Sequence, residues 1–227
     1  MHIGILQTGH APDAMRAAVG TYSQCFERLL AGEGFRFTTW DVVDDIFPER
    51  VDAAEGWLIT GSKHGAYENL PWIARLEEFL RAAYAAEVPI VGICFGHQIL
   101  AQALGGRVEK FSGGWAVGPT SYDWGGKTVR LNAWHQDQVV EPPAEADVIA
   151  RDAFCANAAL AYGKRALTIQ AHPEYDDAAI EMLIAARGPA MGIPDQLAAA
   201  RAALGQSDDS AAIATRIAAF FREARDG

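Results

Sequence analysis

The sequence predicts an α/β fold: an open, mostly parallel sheet with helices on both faces. Three observations lead there. Short apolar runs alternate with amphipathic stretches along the first half of the chain. Those runs are apolar almost throughout rather than at every second residue, the pattern of strands buried on both faces. Glycines close several of them, as at the ends of strands that turn into helices. With 227 residues the chain is long enough to bury a large core.

The elements follow in order. Ile3 to Gln7 reads as a first strand, and Ala14 to Ala31 as one helix closed by Gly32 and Gly34. Phe35 to Val42 is rich in β-formers and reads as a second strand. Gly56 to Thr60 is a short buried strand that stops at Gly61. Trp72 to Ala86 carries Ile73, Leu76, Phe79, Leu80 and Ala83 at three- and four-residue spacing and reads as a helix, with Pro71 just before it. Val88 to Ile93 reads as a central strand, with Pro89 near its start. Between Gly105 and Leu167 glycines cluster and only short β-like pieces stand out, Lys127 to Leu131 and Asp147 to Arg151. That stretch reads as an antiparallel patch on the main sheet. Ala166 to Ala171 is a last strong strand. Helices follow over Asp176 to Arg187, Asp195 to Leu204 and Asp208 to Arg225, separated by Gly188-Pro189 and Gly205-Gln206-Ser207. The organisation predicted is one domain over residues 1–188 and a helical C-terminal extension, 189–227, packed on it.

Composition excludes several classes. Half the residues are hydrophobic and 21% are charged, with 19 Lys and Arg against 29 Asp and Glu, a formal charge of −10. Nucleic acid and anionic membranes attract basic surfaces, so neither is an expected partner. No apolar stretch reaches the roughly 18 residues of a membrane span. The N-terminus has no basic leader, and Cys25, Cys94 and Cys155 cannot all pair within one chain. A reduced, cytoplasmic protein is the expectation.

The segment that carries chemistry is Gly92-Ile93-Cys94-Phe95-Gly96-His97-Gln98. A buried strand ends in it and a helix, His97 to Leu104, begins in it. Two glycines flanking a nucleophile permit a sharp strand-to-helix turn that lifts the side chain to the C-terminal edge of the sheet. The helix start presents unpaired N–H groups and a partial positive charge, which favour a thiolate. A thiolate nucleophile needs a proton shuttle. His172 stands where the last strong strand ends, on the same edge. Glu174, two residues on in an extended stretch stiffened by Pro173, points the same way and is placed to hold the imidazole.

The elbow and Ala171-His172-Pro173-Glu174, with Ile59-Thr60-Gly61-Ser62 and Tyr67-Glu68 upstream, resemble the class I glutamine amidotransferases. The resemblance spans about residues 55–175 and implies a flavodoxin-like architecture. It also implies Cys94 as nucleophile, His172 as base and acid, and Glu174 as the group orienting His172. The N–H groups of Gly61 and Phe95 would form an oxyanion hole, each donor contributing about 3–4 kcal/mol to the transition state. Gln98 would contact the α-amino acid end of the substrate. The reaction implied is attack on the γ-amide of glutamine, giving a γ-glutamyl thioester and ammonia for an acceptor synthetase on a separate chain. Ser112 to Gly118 departs from the Gly-x-x-Gly-x-Asn loop of synthetase-linked members. Trp134-His135-Gln136-Asp137-Gln138 resembles stand-alone members, the γ-glutamyl peptidase branch included. No phosphate loop is present. The alternatives are therefore a γ-glutamyl peptidase, a silent binding or regulatory homologue, and a general cysteine hydrolase.

The remaining candidates divide between pocket and packing. Trp134 to Asp137 reads as a substrate-pocket loop, with His135 and Asp137 in the site and Asp137 meeting an α-amino group. Trp115 covers the pocket, and Trp124 covers it or packs. His97 reads as a structural histidine, Cys25 and Cys155 as packed thiols, and Lys63, His64 and Glu68 as solvated loop residues. No cofactor is implied. Six histidines without close pairing do not suggest a metal. The oligomeric state is left open.

Overall fold

In the computed structural model, which describes residues 1–206 and 208–226, chain order gives β1 (His2–Leu6), α1 (Asp13–Val19), α2 (Tyr22–Leu29) and β2 (Arg36–Trp40). Next come β3 (Gly56–Ile59), α3 (Pro71–Ala85), β4 (Ile90–Ile93) and α4 (Phe95–Ala103). The middle of the chain is β5 (Arg107–Lys110), β6 (Ala116–Trp124), β7 (Lys127–His135), β8 (Asp137–Glu141), β9 (Asp147–Ala150) and β10 (Ala159–Tyr162). The chain closes with β11 (Ala166–Ile169), α5 (Asp177–Arg187), α6 (Pro194–Ala202) and α7 (Ser210–Asp226). Ser207, part of the expected break before the last helix, lies outside the described residues.

Seven strands form the main sheet in the order β2-β1-β3-β4-β11-β10-β9. The pairs β2–β1, β1–β3, β3–β4 and β4–β11 are parallel, while β10 runs antiparallel to both neighbours. Side chains alternate between the two faces, as the strand period requires. Trp57, Ile59 and Ile90 join Leu76 and Leu80 of α3 and Ile99 and Leu100 of α4 on one face. Leu58, Val91 and Ile93 join Phe26 of α2 and Ile213, Ile217 and Phe221 of α7 on the other. Burying such a side chain contributes about 1.5–3 kcal/mol, so the two clusters hold the helices to the sheet. Among the described residues no helix is long and apolar enough to cross a membrane.

Two expectations are corrected. The helix expected over 14–31 is two helices. Gly20, at φ 88°, turns the chain out of the helix, and Thr21 starts the next one with a capping box. The Gln24 N–H donates to Thr21 Oγ1 and the Thr21 N–H to Gln24 Oε1, which satisfies the new helix's first donors. The glycine-rich middle is more than a patch on the main sheet. β9 and β10 do extend that sheet, but β5 pairs with β8, and β6 with β7, as separate two-stranded sheets. The piece expected at 127–131 continues to His135 as half of a long hairpin. Its two-residue loop is Gly125-Gly126, both at positive φ, which suits the twist of a tight hairpin.

Candidate active site

Three parallel strands end at the site. β3 leads to Gly61, β4 to Cys94 and β11 toward His172, with Ile59 opposite Gly92 and Ile169 opposite Ile93. The Cys94 N–H donates to the Ile169 carbonyl at 2.8 Å, tying the elbow to the neighbouring strand. Cys94 itself sits at φ 54°, ψ −102°, a left-handed turn that non-glycine residues rarely adopt. The flanking glycines are there for space. A Cβ on Gly92 would lie 2.4 Å from the Gly96 carbonyl oxygen, and one on Gly96 would lie 2.5 Å from the Ile59 carbonyl oxygen. Gly96→Ala is therefore expected to destabilise the protein by about 1–3 kcal/mol, read as a fall in Tm; an unchanged Tm would show that the elbow yields.

His172 is held from three directions. Its Nδ1 lies 2.7 Å from Glu174 Oε1, and both side chains are almost fully buried. Tyr175 stacks on the imidazole, ring centroids 4.2 Å apart at 9°. The His172 N–H donates to the Asn132 carbonyl of β7, and Asn132 Nδ2 donates to the Tyr175 carbonyl. Burial alone would lower the imidazole pKa. The Glu174 carboxylate and Cys94 outweigh it, and the value is raised. His172 Nε2 is buried without a hydrogen bond among the described residues. A Cβ on Gly61 would lie 3.0 Å from His172 Cε1 and 3.7 Å from Cys94 Cβ, so the three strand ends meet within the width of one side chain.

The Gly61 backbone is set from below. The Thr8 hydroxyl lies 3.0 Å from the Thr60 carbonyl oxygen and 2.9 Å from that of Gly61. A trans peptide puts N–H opposite C=O, so the Gly61 N–H points away from Thr8. Neither it nor the Phe95 N–H, the first of α4, has a partner among the described residues.

A cleft of about 640 Å³ opens over Cys94. Gln98, Trp115, His135 and Asp137 all line it. The Asp137 carbonyl organises that wall, accepting from Gln98 Nε2 at 2.9 Å and from His135 Nδ1 at 3.3 Å. His135 is thus protonated on Nδ1, and burial and then His172 push its pKa down to about 3. It is a neutral ring that presents Nε2 as an acceptor. Burial raises the Asp137 carboxyl pKa, while the Tyr67 hydroxyl and Lys110 oppose the shift.

The solvated reading of His64 and Glu68 needs adjusting, while the packing readings of Trp124 and His97 hold. His64 and Glu68 are cleft residues: Glu68 accepts the Gly65 N–H at 2.7 Å and lies 2.9 Å from His64 Nδ1, folding the loop into the wall. Lys63 is exposed but lines the same rim. Trp124 takes the packing role, beneath the Arg216 guanidinium and within the α7 cluster. His97 is wholly buried with Nδ1 2.8 Å from Thr168 Oγ1, a structural role. Sequence reasoning missed Thr8, Asn132, Tyr175 and Arg187. For Tyr175 the signal was its place directly after His172-Pro173-Glu174.

The family model for glutamine amidotransferase class-I matches residues 49–187. Gamma-glutamyl peptidase 4 of Arabidopsis thaliana is 33% identical over 174 residues, 69% of this chain and 69% of that protein. A GMP synthase [glutamine-hydrolyzing] of Aeropyrum pernix is 34% identical over 139 residues, 57% of this chain but 26% of the synthase. The solved glutamine amidotransferase of Thermotoga maritima aligns over all of both chains with a TM-score of 0.75 at 18% identity.

Proposed function

Because the chain belongs to the class I glutamine amidotransferase family, we propose that it hydrolyses a γ-glutamyl amide through a thioester on Cys94. The observation that carries this reading is the convergence of Cys94, the His172–Glu174 pair and the Gly61 turn at one sheet edge, under a cleft. The Cys94 thiolate attacks the γ-carbonyl carbon. The oxyanion is received by the N–H groups of Gly61 and Phe95. His172, protonated on Nε2 and held by Glu174, gives that proton to the departing nitrogen as the C–N bond breaks. A water then loses a proton to Nε2 and attacks the thioester. The C–S bond breaks, glutamate leaves and the thiolate is restored. Gln98, His135 and Asp137 hold the α-amino acid end, with His135 as a neutral acceptor, and Trp115 covers it.

The cleft favours a γ-glutamyl compound larger than glutamine, as a peptidase takes. Its volume of about 640 Å³ falls within the roughly 300–1,000 Å³ that enclose drug-sized ligands. The second reading keeps glutamine as substrate and hands ammonia to a separate synthetase chain; the synthase relative supports it. We place the enzyme in the cytoplasm. We read residues 189–227 as a helical extension packed on the domain of residues 1–188, and the packing of α7 with β3 and β4 supports that docking. Glutamate release from glutamine and from γ-glutamyl dipeptides tests the proposal. Dipeptides are expected to be cleaved with the higher kcat/KM. Preference for glutamine would move the assignment to an amidotransferase subunit, and no release from either would refute the hydrolase.

A further inference from the structure

Arg187, the last residue of α5, lines the active-site cleft beside Ala186 and Met191. One guanidinium nitrogen donates to the Tyr22 hydroxyl at 3.1 Å. Tyr22 packs on Tyr175, and Tyr175 stacks on His172. The guanidinium therefore stands on the wall beyond the general acid. No carboxylate lies within ion-pair distance of it among the described residues. Lys63 and Lys110 also line the cleft, and each acts through space on a carboxylate of its own wall, Glu68 and Asp137 respectively.

Geometry gives that wall a meaning. The general acid must come within hydrogen-bond reach of the leaving nitrogen, so whatever that nitrogen carries lies on the His172 side. The glutamyl end is assigned, in the reading above, to Gln98 and Asp137. Ammonia from glutamine would leave the Arg187 wall empty. A half-buried guanidinium without a counter-ion is a planar, permanently charged fork suited to a carboxylate. Resting on the peptidase reading above, we propose that Arg187 binds the carboxylate of the amino acid or short peptide that leaves from the γ-glutamyl group.

The test compares γ-glutamyl-alanine with γ-glutamyl-alaninamide, which keeps the size and loses the charge, in the wild type and in Arg187→Gln. The wild type is expected to prefer the acid at least tenfold in kcat/KM, and Arg187→Gln to bring the ratio near one. Arg187→Lys, which keeps charge without the fork, should retain part of it. A folding defect would lower both rates together and leave the ratio, so a ratio unchanged in Arg187→Gln overturns the assignment. A wild-type ratio near one with both substrates cleaved overturns it while the hydrolase stands. Cleavage of neither, with glutamine still hydrolysed, overturns it and moves the reading to an amidotransferase; no glutamate from glutamine either overturns the hydrolase as well.

Discussion

Cys94→Ala is expected to abolish γ-glutamyl amide hydrolysis, with kcat falling about 10⁶-fold, as when the nucleophile of a cooperating triad is removed. The thiol sulfur is the atom on which the proposed thioester forms, and Cys25 and Cys155, both buried and neither lining the cleft, cannot take its place. Burial and then nearby carboxylates push the Cys25 thiol up to about 11 and the Cys155 thiol up to about 12, which keeps both protonated and unreactive. A second readout separates chemistry from folding. Cys94 holds a positive φ that costs a non-glycine residue about 1–3 kcal/mol. Cys94→Gly is therefore expected to be as inactive as Cys94→Ala yet to melt higher, since glycine takes that turn without strain. Turnover in Cys94→Ala would remove the thioester, and equal melting of the two variants would show an unstrained elbow.

The parts of this molecule that were legible in the sequence are those written locally. The elbow is seven consecutive residues whose glycines, turn and nucleophile explain one another. His172 and Glu174 lie two apart at the end of a mostly apolar run that reads as a buried strand. What escaped is held by pairing between distant segments. Thr8 reaches the Thr60–Gly61 turn only because β1 lies beside β3. Asn132 braces the His172 segment only because β7 extends past 131 and bridges to it. Arg187 reads as an ordinary basic residue in a last helical turn until α5 is laid along the cleft. The split helix is a different failure: the capping box at Thr21 to Gln24 was written locally, but the apolar spacing running through Gly20 masked it.

His172→Asn is expected to lower kcat by about 10²–10⁴, the usual contribution of a positioned acid and base. Asparagine can offer an amide N–H toward Glu174 while removing Nε2, so the variant isolates proton transfer from the buried pair. Glu174→Gln does the reverse: it keeps the imidazole and removes the charge that most strongly favours its protonation. The pH dependence of stability follows from the direction of that shift. His172 binds its proton more tightly folded than unfolded, against an ordinary value of 6.5. Its stabilisation is complete below that value and is lost as pH rises through the higher folded value. The Tm advantage of wild type over Glu174→Gln should therefore be largest at mildly acid pH and shrink through the alkaline range. An advantage that grew with pH would mean that Glu174 faces a neutral imidazole, and the pair would then orient the ring without loading the acid that releases the amine.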